Sequence, residues 1–422
     1  MLVNLKDKKI LVGVTGSIAI YKACELIRLF IKSGANVNVV MSPNAQKFIN
    51  PITFEALSRN KVLTEVSEDW SNELNHIDLA QKSDAFVIAP ATANTINKLS
   101  KGIADNILLS CALAYPKNLI IAPSANTEML NNHYTQGSLK MLKVNDTIIV
   151  EPQTKKLVCG VEGSGALAKP LEIYYATARE ILKDEFWENR KVVISGGGTR
   201  EPIDEVRYIG NRSSGKMANA LALALYLKGA DVCLVTTKKD DSLPSEIYTL
   251  EVEDSSEMSE YIKDCIRVAK KGKVTKPSLN NPEAIQVIRK KPYLFMAAAV
   301  ADFKPKYPQD GKLKKEALGS EWSLELTQTE DILKSIPKEG IIKIGFKAEK
   351  DEESAIKNAT KAIDSKNLDA IALNILKEKN DFGSDYNEII FITPNQLRKI
   401  PLMPKIDVAF ELVELAKELD NE

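Results

Sequence analysis

Histidine is almost missing from this chain of 422 residues: His76 and His133 are the two it has. That scarcity excludes a His-rich metal site. Cysteine is sparse as well. Cys24, Cys111, Cys159, Cys233 and Cys265 are odd in number and scattered, with no CxxC pair. This excludes a zinc ribbon and fits a reduced, cytosolic protein. No apolar run reaches the ~20 residues that span a bilayer. The opening MLVNLKDKKILVGV enters a strand pattern without a secretory leader, so a cytoplasmic protein without a membrane partner is expected. Net charge is lacking too, with 57 Lys+Arg against 57 Asp+Glu, which argues against nucleic acid as a partner. Also absent is a full GxGxxG, because Gly13-Val14-Thr15-Gly16 has the wrong spacing.

What is present is enough apolar sequence, 44% of the chain, to bury substantial cores. Short apolar runs (KKILVGV, ANVNVVMS, DAFVIAP, NLIIAPS, DTIIVEP) alternate with helical patterns, which reads as a parallel, doubly wound sheet. A polar helical stretch over 174–189 ends this half. The alternation then restarts with KVVISGGG and continues through DVCLVTT, YLFMAAAVAD, IIKIGFKAE and LDAIALNIL. Two α/β domains are expected, 1–188 and 189–422. The lysine-rich stretch 271–291 reads as a solvated excursion, and VAFELVELAKEL as a structural C-terminal helix.

The densest chemistry lies in 194–216, ISGGGTREPIDEVRYIGNRSSGK. Consecutive glycines let backbone approach a ligand, and Arg207, Asn211, Arg212, Ser213, Ser214 and Lys216 suit phosphates and carboxylates. Gly210 to Lys216 has P-loop spacing, but Met217 stands where a P-loop needs Ser or Thr for magnesium. It is a phosphate-handling loop of another kind. In the first half, Gly16-Ser17 falls where a strand turns into a helix, a position that favours phosphate. Two later strand ends look alike, Pro90-Ala91-Thr92-Ala93-Asn94-Thr95 and Pro123-Ser124-Ala125-Asn126-Thr127. They read either as capped turns or as two walls of one ligand crevice, to which KGIADN adds Asp105 and Asn106. His76 sits in NELNHIDLAQ, where a lone histidine is ordinarily a satisfied surface or core residue. Cys159 sits in LVCGVEGSGAL, a glycine-rich loop in which a thiol reads as reactive.

The order GSIA, PATANT, KGIADN, PSANTEM, LVCGVEGSG resembles the flavin-dependent cysteine decarboxylases. SGGGTREPIDEVRYIGNRSSGKM with AAAVADF resembles phosphopantothenoylcysteine synthetase. Fused in this order, and over nearly the whole chain, the two resemble the bifunctional phosphopantothenoylcysteine decarboxylase/phosphopantothenate–cysteine ligase family of coenzyme A biosynthesis. The resemblance implies a flavodoxin-like, Rossmann-like flavoprotein domain and then a Rossmann-like synthetase domain. For the first it implies FMN against Gly16, Ser17, Ser42, Thr92, Asn94, Asp105 and Asn106. It further implies His76 in the active site, Asn126 on the substrate carboxylate, and Cys159 on a substrate-clamping flap as proton donor. In the implied chemistry the substrate thiol is oxidised to a thioaldehyde, CO2 leaves, and the enethiol is protonated and reduced.

For the second half the resemblance implies activation of 4'-phosphopantothenate by CTP. An acyl-cytidylate forms, and the cysteine amine displaces CMP. Lys312, in GKLKKE, is then the catalytic lysine and Asn211 the residue that turns over the acyl-cytidylate. The implied CTP and substrate site comprises Gly197, Gly198, Arg207, Ser213, Ser214, Lys216, Ala299, Asp302, Asp331, Ile332, Phe346 and Lys366. Mg2+ is expected mainly through the CTP phosphates, with no protein ligand assigned. Trimeric flavin domains and dimeric synthetase domains are implied, hence a dodecamer. The chain departs from the family pattern at Ala125 and Leu130, where Met and Trp are usual, at Lys347 and Lys350 in GFKAEK, and at Ala362, where a nucleotide-binding lysine is usual. Two other readings are an NAD(P)-dependent oxidoreductase and a non-catalytic flavin-binding regulatory protein. The missing GxGxxG weighs against the first, and the joint presence of His76, Asn126 and Cys159 against the second.

Overall fold

The computed structural model describes residues 1–156, 162–275, 277–279, 286–314, 319, 321–377, 380 and 383–420. They form two compact units, one of Leu2–Leu182 with Thr275–Gln286, the other of Met1, Lys183–Val274 and Val287–Glu422. Among the described residues no helix is long and apolar enough to cross a membrane.

In the first unit, strands β1 (Lys9–Val14), β2 (Asn36–Met41), β3 (Ala85–Ala91), β4 (Ile120–Pro123) and β5 (Ile148–Ile149) make one sheet in the order β2-β1-β3-β4-β5. Every pairing is parallel. The residues of β3 are all buried, as a strand covered on both faces requires. Helix Tyr21–Lys32 presents Ala23, Leu26, Ile27 and Phe30 to one face at helical spacing and packs beside helix Pro170–Leu182. The opposite face packs Leu11, Phe86, Ile88 and Ile121 against Ile96, Leu108 and Leu142 of the other helices. The strand order reverses between β1 and β3. In open α/β sheets such a switch point opens a crevice at the carboxyl ends of the strands. The last strand is shorter than the DTIIVEP run suggests, two residues at the sheet edge.

The second unit carries β6 (Lys191–Gly196), β7 (Asp231–Thr236), β8 (Tyr248–Glu251), β9 (Tyr293–Met296), β10 (Ile342–Glu349), β11 (Ala370–Ile375), β12 (Tyr386–Ile392) and β13 (Leu397–Pro404). Their order is β8-β7-β6-β9-β10-β11-β12-β13, parallel through β11 and antiparallel for the last two. This is a doubly wound sheet whose switch point lies between β6 and β9. Helix Lys216–Leu227 is buried from Ala218 to Leu227 because helix Lys405–Lys417 covers the side that the sheet leaves open. On the other face, helices Ser255–Ala269 and Glu352–Ser365 lie over the sheet, and Leu333 packs against both clusters.

The helix expected over 174–189 runs instead over Pro170–Leu182. It stops because Asp184 turns the chain, accepting the Phe186 amide at 3.0 Å on its side chain and the Glu188 amide at 2.8 Å on its carbonyl. The turn delivers Trp187, fully buried, onto Tyr293 at 4.9 Å between ring centroids. Arg190, beside it, bonds the Lys291 carbonyl and the Asp420 carboxylate at 2.7 Å each, so the two ends of this unit meet.

Candidate functional site

At the β1/β3 switch point the first unit holds a cavity of about 620 Å3. Gly16, Ser17, Ser42, Thr92, Asn94, Asp105 and Asn106, the residues named from the sequence, all line it. Both look-alike strand ends reach it as well, through Thr92 to Thr95 and through Ser124 and Ala125. Both readings left open for those strand ends are met: Thr92 and Asn126 cap the helices that follow, and the same turns line the cavity through Thr92 to Thr95 and through Ser124 and Ala125.

Its walls are hydroxyls and amides held by one another. Thr15 donates to the Pro90 carbonyl at 2.6 Å and accepts the Thr92 amide at 3.1 Å, joining the ends of β1 and β3. Ser17 and Ser124 hydroxyls meet at 3.2 Å. Asn106 caps helix Ile107–Ala114, accepting the Leu109 amide at 3.1 Å. Lys98, which sequence reasoning missed, pairs with Asp105 and holds that carboxyl below the usual range. Gly16 is required by closeness, since a Cβ there would lie 2.7 Å from Asn44 Cβ. Gly16→Ala is therefore expected to lower affinity for the flavin that the resemblance implies at least ~10-fold, read by flavin titration. Retention of wild-type affinity would show that the approach to Asn44 can relax.

Asn126 caps the short helix Thr127–Asn131, accepting the Glu128 amide at 2.9 Å. Against it lies the strand Glu162–Ala166, paired with Gln153–Lys156. The Ala125 amide donates to the Gly165 carbonyl at 3.1 Å, and a Cβ on Gly163 would fall 2.0 Å from Thr127 Oγ1. The base of this hairpin thus sits beside Asn126 and the cavity residue Ala125. Cys159 lies outside the described residues.

His76 does not line this cavity in its own chain. It opens helix His76–Gln81, capped by Asn75 through the Ile77 amide at 3.1 Å and the Asp78 amide at 2.9 Å. Its Nδ1 lies 2.7 Å from Glu68 Oε1, and Trp70 meets the ring edge-on at 5.6 Å. Glu65, on the same loop, accepts the Ile107 amide at 2.7 Å, which ties this loop to the cavity rim.

In the second unit the glycine-rich loop closes against the chain after β9. The Ala299 amide donates to the Gly197 carbonyl at 2.8 Å, the Thr199 amide to the Ala299 carbonyl at 3.2 Å, and Asn211 Nδ2 to the Val300 carbonyl at 2.9 Å. Gly197 has φ +79°, and a Cβ on it would fall 2.1 Å from Thr237 Oγ1; one on Gly198 would fall 2.5 Å from the Asn211 carbonyl. Beside this loop is a cavity of about 180 Å3 that includes Ser213, Ser214, Lys216, Ala299 and Phe346. Lys216 is held there by Asp385 at 2.6 Å and the Gly383 carbonyl at 2.9 Å. Asn374 and Asn387 also line it. Asn374 is an amide in an otherwise apolar strand, a pattern disfavoured enough to have been a signal.

The remaining residues form two further groups. Arg207 bonds buried Asp204 through Nε at 3.0 Å and donates to the Leu313 carbonyl at 3.0 Å. Asp204 accepts the Leu313 amide at 3.1 Å, so the residue next to Lys312 is held at both its backbone groups. Lys312 itself is exposed. Asp331 and Lys366 pair at 2.9 Å, and Ile332 is buried in the core. Asp302 is exposed, its carbonyl accepting the Thr329 amide at 3.0 Å. None of Asp302, Lys312, Asp331 and Lys366 lines the 180 Å3 cavity. Among the described residues no group of three or more His, Cys, Asp and Glu is gathered for a metal ion.

The Arg207 guanidinium, then the amides of Val206, Arg207 and Leu313, keep the Asp204 carboxyl well below the usual range. A depressed folded-state value contributes stability above the unfolded value of about 4, and that contribution is lost as pH falls below it. Melting followed from neutral to acid pH is expected to separate the wild type from Asp204→Asn near neutrality, with the gap narrowing progressively as pH falls below about 4 towards the depressed folded-state value. A separation that does not narrow in acid would show that the ion pair is not its source.

Residues 2–182 match the family model described as Flavoprotein. Residues 187–271 and 281–419 match the DNA/pantothenate metabolism flavoprotein C-terminal domain. The coenzyme A biosynthesis bifunctional protein CoaBC of Bacillus subtilis (strain 168) is 35% identical over 418 residues, 97% of each chain. The chain belongs to this family of coenzyme A biosynthesis bifunctional proteins. The family's protein from Borreliella burgdorferi is 32% identical over 413 residues, covering 97% of this chain and 99% of the relative. A protein named cysteine/cysteine sulfinic acid decarboxylase, from an unknown prokaryotic organism, is 36% identical over 378 residues, 86% of this chain and 98% of that one. Like the rest of its family, the chain is a bifunctional enzyme of coenzyme A biosynthesis, a flavoprotein decarboxylase followed by a ligase.

Proposed function

We propose that residues 189–422 join 4'-phosphopantothenate to cysteine at the expense of CTP, and that residues 1–188 decarboxylate the product to 4'-phosphopantetheine with FMN. One observation carries the reading of the first half: the residues named for the flavin line a single cavity at the switch point of the sheet. The residues fit the group. The cavity is wide enough for a ring system, its walls offer hydroxyl and amide partners, and Gly16 leaves the backbone bare where a side chain would collide.

Held by Gly16, Ser17, Ser42, Thr92, Asn94, Asp105 and Asn106, a flavin would supply a reversible two-electron acceptor for the thiol side of the substrate, which keeps the overall decarboxylation redox-neutral. The chain's own groups do the rest. Asn126 holds the substrate carboxylate, His76 transfers a proton, and Cys159 delivers one to the enethiol carbon. His76 acts from a neighbouring copy within a trimer, a reading supported by its absence from the lining of its own chain's cavity. Dimerisation through the ligase half then gives a dodecamer, working in the cytoplasm.

In the ligase half, Lys312, Lys366 and Lys216 neutralise the triphosphate, and Mg2+ arrives with the CTP. Ion pairs with Asp331 and Asp385 hold Lys366 and Lys216 until phosphate displaces the carboxylates. Catalysis there is mostly placement and charge. The test is incubation of the purified protein with 4'-phosphopantothenate, cysteine, magnesium and each nucleoside triphosphate in turn, with products followed by mass spectrometry. 4'-Phosphopantetheine with CMP and pyrophosphate is expected. Phosphopantothenoylcysteine accumulating alone would overturn the decarboxylase assignment, and no coupling with any nucleotide would overturn the ligase. Loss of CO2 from free cysteine or cysteine sulfinate, with no ligation, would move the chain to the activity named for its 36% identical relative.

A further inference from the structure

We infer that Glu68 is the positioning residue of the decarboxylase half, fixing the His76 imidazole by Nδ1 so that Nε2 is the nitrogen that exchanges protons with the substrate. The inference deepens the proposed function and rests on the assignment of His76 to that reaction. Glu68 Oε1 lies 2.7 Å from Nδ1 and also accepts the His76 backbone amide at 3.2 Å. An ionised carboxylate only accepts, so the ring nitrogen facing it carries a proton whether the imidazole is neutral or charged. The neutral ring therefore has its lone pair at Nε2, and the charged ring has its labile proton there.

Two further contacts make this a fixed arrangement. Trp70 meets the imidazole edge-on, with rings at 88° and centroids 5.6 Å apart, which restricts rotation about the side chain. Asn75 caps the Ile77 and Asp78 amides, and the bond from the His76 amide to the same Glu68 oxygen anchors the carboxylate beside the ring. His76 and Glu68 side chains are 25% and 23% exposed, which spares the pair full solvent screening.

The surrounding charges are otherwise engaged. Glu65 holds the Ile107 amide, Asp69 accepts from Ser71 and Asn72, and Glu73 and Asp78 both pair with Lys82. Helix Ile107–Ala114 packs on His76–Gln81 and contributes Cys111, whose thiol is pushed up to about 12 by burial and then by the Glu68 carboxylate. It stays neutral through the working range. Among the described residues Glu68 is thus the one carboxylate in contact with the ring.

With two histidines in the chain, the flavin-loaded protein labelled with 15N-histidine gives two sets of ring signals, and His133→Asn assigns them. His76 is expected to carry its neutral-state proton on Nδ1. A proton on Nε2 would overturn the inference without recourse to any Glu68 variant. In CO2 release, Glu68→Gln is expected to lower turnover about 10- to 100-fold, with KM for phosphopantothenoylcysteine held. Wild-type turnover would also overturn it. Wild-type CO2 release from His76→Asn would instead overturn the assignment underneath, and the ring-nitrogen signals do not depend on that result.

Discussion

Replacing His76 with asparagine is expected to cut CO2 release by about 10^2- to 10^4-fold, the usual contribution of a placed proton-transfer group. Bound flavin and pyrophosphate release by the ligase half are expected to stay at wild-type levels. Asparagine keeps a polar side chain at the first position of helix His76–Gln81, and the cap made by Asn75 owes nothing to the ring. What disappears is the nitrogen that Glu68 leaves facing outward. The same preparation should be read for CO2 release, flavin absorbance and ligation. Normal CO2 release would remove His76 from the reaction, whereas loss of flavin would mean that its role is structural.

Lys312→Gln is expected to lower cysteine-dependent CMP release by about 10^2- to 10^3-fold, the scale of removing one preorganised charge-stabilising group. The substitution is nearly isosteric, and the backbone beside it is held by Asp204 and Arg207 through the amide and carbonyl of Leu313. The loop therefore keeps its course while the charge is lost. Pyrophosphate release in a single turnover, measured against CMP release, separates the two half-reactions. A fall in the first assigns Lys312 to acyl-cytidylate formation, a fall in the second alone to its aminolysis, and an unchanged rate in both removes Lys312 from the site.

The sheets were legible because buried parallel strands read as short apolar runs set between amphipathic helices; the antiparallel strands Tyr386–Ile392 and Leu397–Pro404 that end the second sheet, joined without a helix between them, were not. The first cavity was legible because Thr92 and Asn94 after one strand, and Ser124 and Ala125 after another, repeat a small polar pattern at the same edge. Partners that meet only through tertiary folding were not. Lys98 looks like any helix-surface lysine until the chain brings Asp105 to it. Arg207 reads as a free phosphate ligand, yet it is bound to Asp204, a residue whose burial no local pattern signals. The early helix end at Leu182 was hidden for a similar reason. Phe186 and Trp187 lie in a polar stretch, and the ring system they join comes from Tyr293, over a hundred positions away.

That ring system decides where the two activities can be cut apart. Trp187 and Arg190 bind the start of the second compact unit, which begins at Lys183, to Tyr293, Lys291 and Asp420, so its first and last segments close on each other. A gene split after residue 188 would strip Trp187 from its slot and hand an exposed indole to the decarboxylase fragment. A split just ahead of Lys183 leaves the closure whole. Separation of the two activities onto two chains would accordingly favour the earlier junction.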